Sequence, residues 1–455
     1  MAKESKLDAF IENPRASLWK LAIPMMIGLF VNSIYILVDT YFIGSKVGTA
    51  AISALGYVMP FYFIVMGITF GLASGTTAVI AQYIGKDNRN QANQTAQNSI
   101  IIAFFMALIN FLFIYFLGKD ALILQGINLD VLNLALEYFY VMAYGSLFMI
   151  FGIFLRAILI GEGESLIPMS ALGIGTIVNI ILDPFFIDYW SIAGAAYATI
   201  VSQVLSVLVM SFFIIIRKTT YIDLSFSNFK LDFKIWKKIL KIGIPSSISM
   251  LIMSIGLFIM NSILVDDAHV AGYNLANRIE NFITLTLISI STSQVTILGM
   301  FYGAKRYDLL KSMVRYTTLW SIIISIFFSI ISFFYIDDIA PFFLTATTPD
   351  EIEMSKKAIL STINYYRVMV FIYPFIAITM VSTRAMQAIG KAWPMMVVSF
   401  SRVILFQCTL SYIFITILDK EIMWAWYAIG VSCSLSAIIA YLMRVYFYKK
   451  ISYIN

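Results

Sequence analysis

The sequence predicts an all-α integral membrane protein, with twelve transmembrane helices in two parallel six-helix lobes around a central cleft. Composition sets the class. Of 455 residues, 60% are hydrophobic and 12% charged, against about 45–50% apolar and about 25% charged in a soluble domain. With a mean hydropathy of +0.88, no soluble interior is large enough to hide these side chains. Length gives the second observation: the apolar residues fall in runs of about 20, enough to cross a hydrocarbon core. Internal repetition, described below, is the third.

The runs place spans at 18–42, 52–82, 94–117, 132–158, 166–187 and 193–216, then at 238–264, 271–301, 312–336, 359–388, 394–417 and 424–447. The first begins near Leu18 behind a charged lead and has no small-residue cleavage site, so it reads as a span and not as a signal peptide. The predicted organisation is a segment 1–17, an amino-terminal lobe 18–216, a linker 217–237, a carboxyl-terminal lobe 238–448 and a tail 449–455. An even number of spans puts both termini on one side. Of the 31 Lys and Arg residues, only Lys46, Lys119, Lys356, Lys357 and Lys420 fall in loops of the opposite side. That asymmetry predicts cytoplasmic termini. The linker carries Arg217, Lys218, Lys230, Lys234 and Lys237, and around Trp236–Lys241 its amphipathic pattern suits an interfacial helix.

The two halves echo one another. WKLAIP at Trp19–Pro24 pairs with KILKIGIP ending at Pro245, QYIGKDNR at Gln82–Arg89 with MFYGAKR at Met300–Arg306, and RAILIGEGESLIP from Arg156 with RAMQAIGKAWP from Arg384. Six spans separate the copies, so both insert in the same direction, the arrangement of parallel repeats in secondary transporters.

Several classes are excluded. The +6 charge follows the cytoplasmic side and suits anionic membrane lipids, not nucleic acid. Cys408 and Cys433 lie in apolar runs and read as reduced packing residues. The chain has no zinc spacing, no phosphate-cradling loop and no nucleophile–base pattern. It is read as a non-enzyme without a cofactor, and His269 as an exposed loop residue.

Acids inside spans are the most informative residues. A charged Asp at a helix centre costs roughly 2.5–3.5 kcal/mol on insertion scales, so it needs a partner, a proton or a wet cavity. Asp39 lies late in the first span and Asp183 in the fifth. Asn179 shares a helix face with Asp183, and Thr176 approaches it. Pro184 withholds a donor from the carbonyl of Ile180. Carboxylate, amide oxygen, hydroxyl and free carbonyl suit a small hard cation, and equally a proton relay. Glu280, Arg367 and Arg402 occupy later spans; Arg278 points away from Glu280. Gly67, Gly71 and Gly75 form a small-residue stripe for close helix packing. Pro24, Pro60, Pro245 and Pro374 are sites of helix bending. Tyr35, Phe61, Met253, Met260 and Phe282, with Glu280, are candidates for an aromatic, Met-rich substrate cleft.

Taken in order, the early IP and VDTYFIG, the QYIGKDNR turn, and NIILDPFFI followed by IAGAAYAT resemble the multidrug and toxic compound extrusion family over roughly Leu18–Tyr448, and within it the prokaryotic branch related to DNA-damage-inducible proteins. The resemblance implies an antiporter of the prokaryotic inner membrane that acts as a single chain and expels cationic or amphipathic organic compounds against H⁺ or Na⁺. It implies that Asp39 is the coupling acid of the first helix. It further implies that Asn179 and Asp183 are the polar pair of the fifth helix and Thr199 a polar position of the sixth. If sodium is used, Asp39, Asn179 and Asp183 would hold it. Another branch carries acids in its seventh and tenth helices, where this chain has Asn261, Arg367 and Arg384; Glu280 is the one acid placed to substitute. Alternatives are a flippase for lipids or lipid-linked saccharides, a channel, and a non-transporting membrane scaffold.

Overall fold

The computed structural model describes residues 5–47, 49–342 and 349–452. Among these no strand occurs, and the elements are α1 (Leu7–Glu12), α2 (Pro14–Lys46), α3 (Thr49–Gly85), α4 (Arg89–Leu124), α5 (Leu129–Gly161), α6 (Leu166–Ser211), α7 (Phe233–Leu264), α8 (Asp267–Gly303), α9 (Tyr307–Phe342), α10 (Pro349–Met369), α11 (Tyr373–Ala388), α12 (Trp393–Phe400), α13 (Thr409–Tyr412) and α14 (Met423–Ser452). Local chemistry sets several starts. Asn13 caps α2 ahead of Pro14, and Asn88 caps α4 by accepting from the Gln91 N–H at 3.0 Å. Residues 212–216, 401–408 and 413–417 wind as π-helix.

Ten described helices are long and apolar enough to cross a membrane, eleven if the bent pair α10–α11 counts as one. One of them, Leu166–Ile216, is 51 residues long, where a crossing needs about 20. It turns back at Trp190 and Ser191, the latter at φ 53, and so supplies two crossings, which brings the number to the expected twelve. Trp190 packs edge-on against Phe186 and Tyr197 at this corner. Gly194 makes the corner tight, since a Cβ there would stand 2.1 Å from the Phe186 carbonyl oxygen.

Two expectations are corrected. The span at 359–388 is not continuous: α10 and α11 meet at 65°. Pro374 sits in the first turn of α11, where its missing N–H leaves no gap but does not carry the preceding helix onward. His269 is not in a loop. It occupies the first turn of α8, half-buried, with Nδ1 3.2 Å from Ser361 Oγ.

The exterior carries large apolar side chains such as Phe116, Phe327 and Phe334, as expected of helices that face lipid. Hydroxyls inside the spans mostly bond to a carbonyl of their own helix one turn back, among them Thr69 to Val65 at 2.7 Å, Ser293 to Ser289 at 2.8 Å and Thr317 to Met313 at 2.9 Å. In a medium without water such internal partners are required.

The chain forms two compact units, one of residues 1–247 and 299–304, the other of 248–298 and 305–455. In the first unit, the small-residue stripe of α3 meets α7. A Cβ on Gly71 would lie 2.3 Å from the backbone N of Ser247, and one on Gly75 2.5 Å from the Ile239 carbonyl oxygen. The segment after α6 is strapped along α4. Arg89 donates to Tyr221 O, Asn93 Oδ1 accepts from Asp223 N, and Gln97 donates to Ser225 O. Asn98 donates to Lys230 O while its Oδ1 accepts from Asp232 N and Trp236 Nε1. The GEGE turn joins in: Glu162 accepts from Ile222 N, and Glu164 pairs with Lys6 at 2.8 Å. In the second unit, Cys408 and Cys433 are buried free thiols.

Gly71→Val should lower unfolding stability by about 1–3 kcal/mol, the usual range for overpacking, seen as a lower thermal midpoint in detergent. Asn98→Ala should expose residues 219–232 to protease; cleavage there no faster than in wild type would show that these bonds do not hold the strap.

Candidate functional site

Within the first unit, α2 and both arms of α6 pack together, and small residues allow the approach. A Cβ on Gly175 would stand 2.3 Å from Ser206 Oγ, and Ser206 Oγ itself donates to Ala171 O at 2.9 Å. This contact folds the second arm of α6 back along the first. It brings Thr176, Asn179, Thr199 and Gln203 round one cavity of ≈ 20 Å³, with Asn32 of α2 on its wall. That volume holds about one water-sized guest. Asn32 and Gln203 are not among the residues the sequence singles out, although their spacing carries a signal: Asn32 is two turns before Asp39, and Gln203 one turn after Thr199.

Asp39 and Asp183 meet across α2 and α6, with their carboxyl groups within hydrogen-bonding reach. Asp183 is 0% exposed, and its Oδ1 accepts from Asn179 Nδ2 at 3.3 Å. Three acceptor atoms of this cluster are buried without a hydrogen-bond partner: Asp39 Oδ1, Asn179 Oδ1 and Asp183 Oδ2. Tyr62 of α3 and Tyr138 of α5 stand within electrostatic reach of Asp39, and Tyr62 also of Arg156. Among the described residues no Lys or Arg forms an ion pair with either acid. Two carboxylates in contact repel, so the pair needs a shared proton or a cation between them. Hard oxygen donors converging from two helices are what a small cation takes. The described residues hold no cluster of three His, Cys, Asp or Glu, so the charge available is that of the two acids.

In the first unit Phe61 packs on Phe139 at 5.4 Å and on Phe113 at 6.1 Å. The side chain of Tyr35 lies outside the described ones. In the second unit Met260 is wholly buried in the core, Met253 is half-exposed and Phe282 half-buried. Glu280 is a partnered acid there: its Oε2 accepts from Tyr365 OH at 2.7 Å, and Arg402 lies within electrostatic reach. Tyr273 and Tyr365 flank Trp426, with ring centroids 5.8 and 5.4 Å away. Arg367 is exposed.

Long apolar helices, a chain that crosses twice within α6 and an acid-bearing polar interior define a multi-pass membrane protein of transporter type. Residues 24–185 and 245–413 match the family model MatE. The chain belongs to the MatE family. It is 25% identical to the probable multidrug resistance protein NorM of Thermotoga maritima over 423 residues, covering 90% of this chain and 88% of that one. The probable multidrug resistance protein YoeA of Bacillus subtilis is 24% identical over 319 residues, 66% of this chain and 68% of that protein. Among solved structures, the outward-facing conformation of a multidrug resistance MATE transporter superposes with a TM-score of 0.90 at 25% identity, covering 96% of each chain. A transporter from Pyrococcus furiosus gives 0.91 at 25% identity, over 96% of this chain and 97% of that one.

Asp183→Asn removes the buried member of two apposed acids. At alkaline pH without Na⁺ it should raise unfolding stability by about 1–3 kcal/mol, the scale of an unsatisfied buried polar group. A lower thermal midpoint than wild type under those conditions would show that the pair is already satisfied.

Proposed function

We propose that this protein is a secondary antiporter that exports organic, cationic or amphipathic compounds in exchange for H⁺ or Na⁺. The observation that carries the reading is the pairing of half-buried Asp39 with buried Asp183, with three unpartnered oxygens among Asp39, Asn179 and Asp183. Loading a proton or Na⁺ relieves the repulsion between the acids, the proton by neutralising one carboxylate and Na⁺ by taking the free oxygens as ligands, so the loaded and empty states of the α2–α6 interior differ in free energy. Coupling is that difference, expressed as alternating access to the two sides of the membrane. Asp39, Asn179 and Asp183 bind the cation, Thr176 and Thr199 complete the polar wall, and no resident cofactor takes part. The substrate competes with the cation for the loaded interior. The protein acts as a single chain in the inner membrane of a prokaryote, with both termini in the cytoplasm. Relatives described as multidrug export proteins, such as MepA of Staphylococcus aureus at 25% identity over 69% of this chain, support an organic cargo.

A second reading, an anionic cargo, draws on Arg156. Its Nε is buried without a hydrogen-bond partner, and a relative from Shewanella oneidensis, 22% identical over 87% of this chain, is described as an FAD transporter.

Reconstituted protein in sealed vesicles, given ΔpH and ΔNa⁺ separately, decides among these. A fluorescent organic cation should move against one of the gradients, and Asp39→Asn should slow it at least ~10-fold, within the span of coupling energies of 1–3 kcal/mol. Flavin nucleotide movement in place of the cation would favour the second reading. Equal rates in wild type and Asp39→Asn would remove the acid pair from the mechanism.

A further inference from the structure

The two helices that bring the acids together are joined a second time. Lys46, in the last turn of α2, donates to Asp188 Oδ1 at 2.6 Å and to the Pro184 carbonyl oxygen at 2.8 Å. The placement relative to the acids is specific. Lys46 is seven residues beyond Asp39, two helical turns along the same face and about 10 Å further on. On α6 the acceptors begin at the residue that follows Asp183 and end at Asp188. The face of α2 that carries Asp39 therefore carries, further along, an ammonium group held by a carbonyl and a carboxylate that lie within five residues of Asp183 on α6. Side-chain exposure is 29% for Lys46 and 61% for Asp188, so both reach solvent. An exposed ion pair adds little to global stability. This one fastens a helix end, and the group it fastens sits two turns from the cation ligands.

We propose that Lys46 and Asp188 are positioning residues of the cation site: their contact holds the end of α2 against α6 and thereby sets how closely Asp39 and Asp183 approach. The inference rests on the cation-coupling reading above. Loss of the contact lets the end of α2 move away, the carboxyl oxygens spread, and the cation binds more weakly. The other titratable groups around the acids are the phenols of Tyr62 and Tyr138 and, beyond Tyr62, Arg156; no variant below alters them.

An electrostatic role for Lys46 alone predicts the opposite sign. A lone ammonium near a cation site repels the cation, so Lys46→Met would then strengthen binding. If the contact positions the site, Lys46→Met weakens binding despite removing a positive charge. The double variant Lys46→Met/Asp188→Asn, with net charge unchanged, weakens it too.

The test is thermal unfolding of the purified full-length protein in detergent, titrated with Na⁺ and separately with protons, which reads cation binding without requiring transport. Asp39→Asn should abolish the cation-dependent rise in midpoint. Lys46→Met, Asp188→Asn and the double variant should each raise the half-saturating cation concentration about fivefold, the equivalent of ~1 kcal/mol for an ion pair at 1.4 kcal/mol per tenfold. The exchange Lys46→Asp/Asp188→Lys should restore it to within about twofold. A merely structural contact would lower the cation-free midpoint and leave the half-saturating concentration unmoved. That result, or tighter binding in Lys46→Met, overturns the positioning role while the cation site stands. A wild-type midpoint indifferent to both cations would instead remove the cation reading, and this inference with it.

Discussion

A carboxyl group held away from water must carry a proton, coordinate a cation or meet a donor, and much of the interior of the first unit follows from that requirement. Asp183 has one donor, the Asn179 amide, and it faces a second acid. Nothing else among the described residues neutralises the pair. The surrounding packing makes the arrangement possible: the corner at Trp190–Ser191 returns the chain, Gly175 and Ser206 let the arms of α6 touch, and the resulting wall presents amides and hydroxyls. An unsatisfied interior of this kind is a state waiting for a ligand of the right charge.

The contrast with Glu280 is instructive. It too is an acid within an apolar helix, yet it has a phenol at 2.7 Å and a guanidinium within electrostatic reach. Its charge can be carried without a guest. The two acids of the first unit lack that provision, which is why chemistry is assigned to them and not to every acid that falls inside a span.

Much of this was legible in the residues. Long apolar runs require helices, and polar breaks between runs marked the corner of α6 between 187 and 193. The small-residue stripe at Gly71 and Gly75 was readable as close packing, though nothing in it named α7 as the partner. The pairing of Asp39 with Asp183 came from family resemblance; spacing could not supply it, because the residues lie on different helices far apart in the chain. Asn32 and Gln203 do not stand out in the sequence, because neutral polar residues are common in spans and give no charge signal. In the sequence Lys46 stands only as a basic residue in a loop. The break between α10 and α11 was hidden because Pro374 is compatible with a bend as well as a new start. The π-helical stretches leave no mark at all, since the same apolar residues serve either winding.

The hydroxyl bonds inside the spans bear on assembly. Because Thr69, Ser293 and Thr317 return their hydrogens to the preceding turn, these hydroxyls can enter the bilayer already occupied, before any neighbouring helix arrives. Others reach sideways, among them Thr77 to the Ala157 carbonyl, Ser206 to Ala171, Ser247 to Ile68 and Thr362 to Gly272. Insertion and docking thus separate in time, as in two-stage assembly of membrane proteins. The sideways hydroxyls act after insertion, when neighbouring helices find their register, so in a nascent chain paused between the stages it is these groups, and not the back-bonded ones, that a quality-control protease or chaperone could recognise as unbonded.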